Sequence, residues 1–347
     1  MFRFVLIGLI VLIAFPGGLA ANDKILSVLN WSEYLDDDLV AEFERRYEVD
    51  VQFTYFESSD DRDRIMAEND GAGFDLVLAE DASIRALSLL GWLQPFDERE
   101  VPNLRHLDPR WLARDEQGRV LAVPYFWGTV GIAYRRDLLE QPISTWRQFF
   151  EPAEDLRGYI ALIDDAWDVV GMALKSLGKS MVSESSQDLS EAESLLRAQK
   201  PYVRSYGVVS LTEKSTLNTG EIRAAMVYNG DGVTLAELNE NIAYVLPEEG
   251  SGLWVDQWTV PAKATNKPLA YRFLDFLNEP KNAAKNAETL YYASPNRDAE
   301  ALMSADLLHD PNVYPPAEVL ARCERYQGLS ARALRRRISI LSSLTGD

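Results

Sequence analysis

The sequence predicts an α/β fold of two lobes, each a mostly parallel sheet flanked by helices. Strand-like and helix-like segments alternate along the chain, which is typical of parallel strands joined by crossover helices. The chain has 347 residues, 47% of them hydrophobic, which suffices for two domains of about 100–200 residues each. It has no internal repeat and no long Gly/Ser linker. We therefore expect two halves that share crossover segments.

The first twenty residues have the composition of a secretory signal peptide. Arg3 is followed by the apolar and glycyl run 4–15 and by a short segment that ends at Ala20. We expect a signal peptide over 1–20, cleavage after Ala20 and a periplasmic mature protein. A membrane anchor is the alternative, but the run is shorter than the about 20 apolar residues that span a bilayer.

The cysteine count and the charge narrow the class of protein. Cys323 is the only cysteine, which predicts no disulfide within the chain and no thiol near the N-terminus for lipid attachment. The formal net charge of −19 disfavours a nucleic-acid partner and adsorption to anionic lipid, and it favours cations as ligands. The alternative is that the acidity only maintains solubility.

The first series of elements alternates strand and helix three times. Acids at 36–38 favour a helix start, and an apolar stripe continues that helix to Tyr47. The run 74–78 is nearly continuous in apolar character, as in a buried strand. The predicted strands are 24–29, 49–55 and 74–78, and the predicted helices are 36–47, 60–69 and 83–90.

A second series follows residue 128, and the last third of the chain is mostly helical. Prolines at 268 and 280 mark two helix starts, since proline is favoured in a first turn. The predicted strands are 131–134, 159–163, 224–228, 242–246 and 257–261, and the earlier helices are 169–177, 190–200 and 232–239.

The predicted crossovers between the halves lie at 128–131 and 249–253, where glycines can absorb hinge rotation. We expect an N-terminal lobe of 21–128 plus 254–300 and a C-terminal lobe of 129–253 plus 301–347.

Aromatic and acidic side chains collect just past the ends of four strand-like runs, at 30–34, 164–168, 228–231 and 254–256. In open α/β sheets, ligands bind beyond the carboxyl ends of the strands, so we expect these segments to meet in a cleft between the lobes. Carboxylates accept hydrogen bonds from an ammonium group, while indole and phenol rings offer cation–π contact and cover methylenes. This combination predicts a site for a multivalent amine.

Each segment also has an ordinary structural explanation. Trp31 and Tyr34 could form a hydrophobic staple over the following helix. One of the acids in 164–168 is expected to be an N-cap, and Asp231 could simply begin a helix. Asp256 could face solvent on an edge strand, whereas burying it without a cation would cost several kcal/mol.

Other functions have weaker support. Tyr291 and Tyr292 could ligate ferric iron as phenolates, although neither His106 nor His309 lies near a predicted strand end. The chain has no nucleophile elbow, no phosphate-binding GxxxxGK[ST] loop and no HExxH helix. Paired carboxylates alone could serve a glycosidase, but the cation site accounts for more residues. We expect no enzymatic activity, no cofactor and no metal.

Nine short motifs along the chain point to a known family. They are Asn30 to Tyr34, Tyr55 to Ser58, Phe74 to Val77, Val123 to Gly128, Asp164 to Ala166, Tyr228 to Gly230, Trp254 to Asp256, Ala287 to Thr289 and Ser294 to Asn296. In these motifs the chain resembles the periplasmic spermidine/putrescine-binding proteins of polyamine ABC importers, which belong to the extracellular solute-binding proteins. The resemblance implies the two-lobed periplasmic-binding-protein (Venus-flytrap) fold, capture of a polyamine or diamine, and a monomer. It also implies delivery to an inner-membrane ABC permease, or presentation to a membrane sensor.

The resemblance also implies individual ligand-binding roles. Trp31 and Tyr34 would flank the ligand, with Ser32 as a nearby hydrogen-bonding group. Asp165 and Asp168 would hold one terminal amine, and Asp256 would meet an inner or second amine beside Trp254. The remaining implied ligand-binding residues are Tyr228, Asp231, Tyr292 and Gln327.

One departure from the family pattern lies after the strand 74–78. Family members usually have Pro-Ser and then an aromatic or small polar residue, whereas this chain has Ala79, Glu80, Asp81 and Ala82. Glu80 is therefore a further candidate ligand-binding residue. It could recruit another ammonium group, or it could pair internally and block the usual pose.

Overall fold

The computed structural model describes residues 24–346, so the predicted signal peptide lies outside the described residues. The strands are β1 Ile25–Trp31, β2 Asp50–Phe56, β3 Leu76–Glu80, β4 Ala113–Arg114, β5 Val120–Arg135, β6 Ile160–Leu162, β7 Val203–Tyr206, β8 Ala224–Tyr228, β9 Ile242–Val245, β10 Gly252–Thr259 and β11 Glu324–Arg325. The helices are α1 Asp37–Tyr47, α2 Ser59–Glu68, α3 Asp81–Leu89, α4 Trp146–Phe150, α5 Ala166–Ser176, α6 Ser186–Gln199, α7 Thr216–Thr219, α8 Asn229–Leu238, α9 Lys267–Leu277, α10 Pro280–Leu290, α11 Arg297–Glu300, α12 Ala305–His309, α13 Ala317–Leu320 and α14 Ala331–Thr345. Within this range, no helix is long and apolar enough to cross a membrane.

Eight of the strands form one continuous series in the order β2-β1-β3-β10-β5-β8-β6-β7, while β4 and β9 pair with β5 and β11 pairs with β10. The outer strands of each half pair in parallel, as predicted: β1 with β2 and β3, and β6 with β7 and β8. The antiparallel pairs lie at the centre, where β5 and β10 connect the halves. β5 pairs with β10 up to Thr129 and with β8 from Val130 onward, so one strand belongs to both halves.

Two large hydrophobic cores match the two halves. One contains Leu26, Phe43 and Trp258, and the other contains Trp146 and Val169. The last part of the chain contributes to both. Residues of the segment 303–313 pack in the first core, whereas α14 packs in the second.

Local sequence explains the first helix. The Asp36 carboxylate accepts a hydrogen bond from the Leu39 amide at 2.9 Å, and acids fill the first turn. Arg45 and Arg46 lie in the last turn, where positive charge complements the helix dipole. Leu39 and Phe43 form the buried face.

The prediction was wrong for the segment that contains Trp254 and Asp256. It was expected to follow a strand end, with the strand itself at 257–261, but both residues lie inside β10. β10 runs antiparallel to β3, so its first half lies at the sheet edge where β3 ends. These side chains therefore reach the expected edge from the opposite direction.

β5 is much longer than the predicted strand 131–134. Val120 to Tyr134 are all buried, so the segment shows no alternation of apolar and polar residues. Pro124 lies inside it, and proline is usually evidence against a strand interior.

Phe43 tests the first core. Its ring is fully buried, and its ring centroid lies 4.8 Å from that of Phe273. Phe43→Ala is expected to reduce the free energy of unfolding by about 3–5 kcal/mol, because it removes a large buried side chain and leaves a cavity. Urea denaturation measures this. Leu89 is 81% exposed, so Leu89→Ala is the control, with an expected change within about 0.5 kcal/mol. Equal effects of the two variants would contradict this assignment of the core.

Candidate ligand-binding site

The edge of the sheet where the halves meet carries most of the predicted site. Trp31, Glu80 and Tyr228 are the last residues of β1, β3 and β8. Asp256 enters on β10 directly opposite Glu80 in the antiparallel register. The fold therefore brings together residues that are far apart in sequence.

Asp256 is a buried acid, 9% exposed, in the half that contains β1. The Tyr34 hydroxyl donates a hydrogen bond to its Oδ2 at 2.9 Å. Burial and the neighbouring charge of Glu80 raise the pKa of Asp256 to about 7, although the Tyr34 hydroxyl and the Arg62 charge act in the opposite direction. Asp256 therefore changes charge near neutral pH.

Asp168 is the corresponding acid in the other half and is 2% exposed. The Tyr228 hydroxyl donates to its Oδ2 at 2.8 Å, and the Tyr326 hydroxyl donates to its Oδ1. Burial and the charge of Asp165 raise the pKa of Asp168 to about 7, against the two tyrosine hydrogen bonds. Each half thus presents one buried carboxyl group held by tyrosine hydroxyls.

Asp165 is the N-cap of α5, as expected for one acid of its segment. Its carboxylate accepts hydrogen bonds from the amides of Trp167 at 2.7 Å and Asp168 at 3.0 Å. This capping places its charge beside the Asp168 carboxyl group. Its predicted contact with a ligand amine stays a prediction.

Asp231 lies in the first turn of α8, as its simpler explanation requires. It is partly buried, and burial raises its pKa to about 6. Among the described residues it has no hydrogen-bond or ion-pair partner. Its charge acts on the phenols of Tyr292 and Tyr244. Asp231 is thus a third acid near the junction of the halves.

A chain of aromatic rings connects the two buried acids. The ring centroids of Tyr34 and Tyr292 are 5.4 Å apart, and those of Tyr292 and Trp254 are 5.6 Å apart. Trp254 is in turn 6.4 Å from Tyr228, whose hydroxyl bonds to Asp168. The rings meet edge to face, which is a favoured geometry for aromatic pairs.

Two glycines permit this close approach of the halves. A Cβ atom at Gly230, in α8, would overlap the Tyr292 ring. One at Gly128, in β5, would overlap the Trp254 ring and the Asn229 side chain. Any larger residue at either position would force these groups apart.

Three predicted residues lie outside this chain of contacts. Trp31 packs on Phe56, with ring centroids 4.3 Å apart, while Ser32 and Gln327 are exposed. Their ligand contacts stay predictions. Sequence reasoning missed Tyr326, the residue before Gln327, which bonds to Asp168. Its only signal was an aromatic side chain in an irregular segment.

Glu80 was expected either to recruit an ammonium group or to pair within the protein, and in the structure it pairs with Arg62. Arg62 Nη1 donates to Glu80 Oε2, and the Ser59 hydroxyl donates to Oε1 at 2.7 Å. Burial alone would raise the pKa of Glu80, but the charge and hydrogen bonds of Arg62 outweigh it and lower that pKa. Glu80 is thus an ionised carboxylate with a protein partner.

The ferric-iron alternative depends on Tyr291 and Tyr292. Within residues 24–346, no group of three or more His, Cys, Asp and Glu side chains could hold a metal ion. Burial raises the pKa of Tyr291 and Tyr292, which disfavours the phenolate forms that ferric iron requires.

Comparisons with known proteins give a consistent result. The model of the family described as bacterial extracellular solute-binding protein matches residues 38–315. The norspermidine sensor of Vibrio cholerae is 32% identical over 92% of this chain and 88% of its own length. The putrescine-binding periplasmic protein PotF of Escherichia coli is 31% identical over 88% of this chain and 87% of its own length.

A solved structure extends the similarity to the fold. The spermidine/putrescine ABC transporter substrate-binding protein PotD of Streptococcus pneumoniae superposes with a TM-score of 0.81 at 25% identity, covering 93% of this chain and 99% of that chain. This confirms the predicted two-lobed α/β fold.

The raised pKa values of Asp168 and Asp256 predict how stability depends on pH. Both acids keep a proton up to about pH 7 when folded, whereas an unfolded aspartate loses it near about pH 3.9. The folded state binds more protons in this window, so the free energy of unfolding should fall as pH rises through it. Each acid contributes at most about 1.4 kcal/mol per pH unit.

Urea unfolding of the ligand-free protein between about pH 5 and pH 8 measures this slope. Asp256→Asn should make the slope shallower. Asp97→Asn is the control, because Asp97 is exposed with a pKa of about 2 and is ionised throughout. Parallel profiles for the unmodified protein and Asp256→Asn would contradict the raised pKa.

Proposed function

This chain belongs to the bacterial extracellular solute-binding proteins, and we propose that it captures a diamine or polyamine of the putrescine/spermidine class in a cleft between two lobes. It then delivers this ligand to an inner-membrane ABC permease. The observation that carries the proposal is the pair of buried acids, Asp168 and Asp256, joined by a chain of aromatic rings. The names of the relatives support the ligand class.

The chemistry of the site suits an extended cation with charges at both ends. An ammonium group has three hydrogen-bond donors and no acceptor, so a carboxylate satisfies it well. A hydrogen bond to a charged group contributes about 1.5–3 kcal/mol, and a partly desolvated cation–π contact contributes up to about 2 kcal/mol. Asp168 and Asp256 would each hold one end, while Trp254 and Tyr292 cover the methylenes.

The two halves would close around such a ligand. We retain the proposed lobes of 21–128 plus 254–300 and 129–253 plus 301–347, although the packing of 303–313 in the first core favours moving that segment to the first lobe. Asp256 and Asp168 then belong to different lobes. A ligand that contacts both acids binds the closed state more tightly than the open state, so it shifts the population toward the closed state.

A membrane sensor is the second candidate partner, favoured by the similarity to the norspermidine sensor. Transport and sensing use the same closed form, so binding data do not separate them. A permease and an ATPase encoded beside this gene would support transport, whereas a membrane signalling protein would support sensing. In either case the chain acts as a monomeric binding protein without catalytic activity.

Asp256 gives the direct test of the amine site. Asp256→Asn should weaken putrescine and spermidine binding by about 2–5 kcal/mol, the range for truncating one partner of a buried charge pair. Isothermal titration calorimetry measures both dissociation constants. Glu116→Gln removes an exposed acid from a distant turn and should leave them unchanged. Unchanged binding in Asp256→Asn would remove this residue from the site.

A Trp254 variant tests whether this indole packs on the methylene groups of the bound amine. Trp254→Ala should reduce affinity more for longer amines than for shorter ones, because more apolar length loses its contact. A series of diamines of increasing chain length, measured by calorimetry, gives this dependence. Trp92→Ala, a partly buried tryptophan whose indole N–H bonds to Asp70, is the control. A uniform loss across chain lengths would count against the role of Trp254.

A further inference from the structure

Two carboxylates lie side by side at the end of the site formed by the first half. Glu80 and Asp256 are directly opposite in the antiparallel pairing of β3 and β10. Opposed residues in such a pair have Cβ atoms about 4.5–5.5 Å apart, and like charges there are destabilising. A nearby positive charge, or a proton on one of the two acids, relieves this repulsion.

Arg62, from α2, supplies that charge. Its side chain is fully buried, with 0% exposure, and Nη1 donates to Glu80 Oε2. Nη2 donates to Asp63 Oδ1 at 2.8 Å and to Ser83 Oγ at 3.1 Å. The guanidinium also lies over the Phe56 ring, 5.9 Å from its centroid. Arg62 is therefore held by several groups at once.

The two carboxylates differ in what remains open to a ligand. Both Glu80 oxygens already accept hydrogen bonds, Oε1 from Ser59 and Oε2 from Arg62 and Ser83. Asp256 accepts one, on Oδ2 from Tyr34, and its Oδ1 has no donor among the described residues. A carboxylate has about four acceptor sites, so an ammonium group would find more of them open on Asp256, which accepts one hydrogen bond, than on Glu80, which accepts three.

Building on the proposed amine-binding function, we propose that Arg62 determines specificity by limiting this end of the cleft to one ammonium group. With Arg62 present, the charges of Arg62, Asp63, Glu80 and Asp256 sum to −2 when all four are ionised. Without Arg62 the sum is −3, and Glu80 becomes a stronger acceptor beside Asp256. Arg62 thus disfavours ligands that bring two closely spaced cationic groups to this end.

Four variants test the charge balance, measured by calorimetry with putrescine, which carries two ammonium groups, and spermidine, which carries three. Arg62→Met should shift the ratio of the two dissociation constants at least tenfold toward spermidine. Glu80→Gln removes the more buried ion-pair partner of Arg62 and leaves the half-exposed Asp63. The charge of Arg62 then acts more strongly on Asp256, and the binding of both amines should weaken at least tenfold. The double variant should return both values toward those of the unmodified protein. Arg64→Met removes an exposed arginine of the same helix and serves as the control.

The outcomes separate this inference from the proposed function. If the unmodified protein binds neither amine, the proposed function fails and this inference with it. If it binds amines but Arg62→Met leaves the ratio unchanged, only the role of Arg62 fails. Circular dichroism melts establish which variants fold. Should Arg62→Met not fold, Glu80→Gln decides, since unchanged affinities there would overturn the proposal.

Discussion

The structure depends on burying carboxyl groups at the junction of two halves without giving each one a permanent cation. Asp168 and Asp256 receive hydrogen bonds from neutral tyrosine hydroxyls instead. Hydroxyls satisfy some of the carboxyl oxygens but do not neutralise the charge, so burial raises both pKa values toward neutrality. An incoming ammonium group can supply the missing charge, which makes ligand binding and the protonation state of these acids interdependent.

The treatment of Glu80 differs from that of Asp256, although the two are opposed on adjacent strands. Glu80 has a buried arginine partner and a lowered pKa. Separating a buried pair of this kind is costly, because it leaves an uncompensated charge in the interior. Glu80 thus contributes to the stability of the fold through its ion pair, whereas Asp256 stays available to a ligand.

Much of the site could be predicted from the sequence, because parallel strands place their carboxyl ends at one edge. This reasoning expected Tyr34, Asp168 and Tyr228 to lie near the junction of the halves, where the structure has them. It failed for the direction of β10, since a local pattern carries no information about which strand a segment pairs with. Arg62 also escaped it. The segment 61–64 alternates acids and arginines, as exposed helices do, and only tertiary packing shows that one of these arginines is buried.

β5 has a mechanical consequence. Its partner changes from β10 to β8 between two adjacent residues, Thr129 and Val130. β5 is hydrogen-bonded to β10 in one half and to β8 in the other, so neither half can slide along it without breaking backbone hydrogen bonds. Rotation at the junction of Thr129 and Val130 instead changes the angle between the halves and keeps the pairs on either side in register. A ligand that closes the cleft would then change the angle between the two halves about this shared strand.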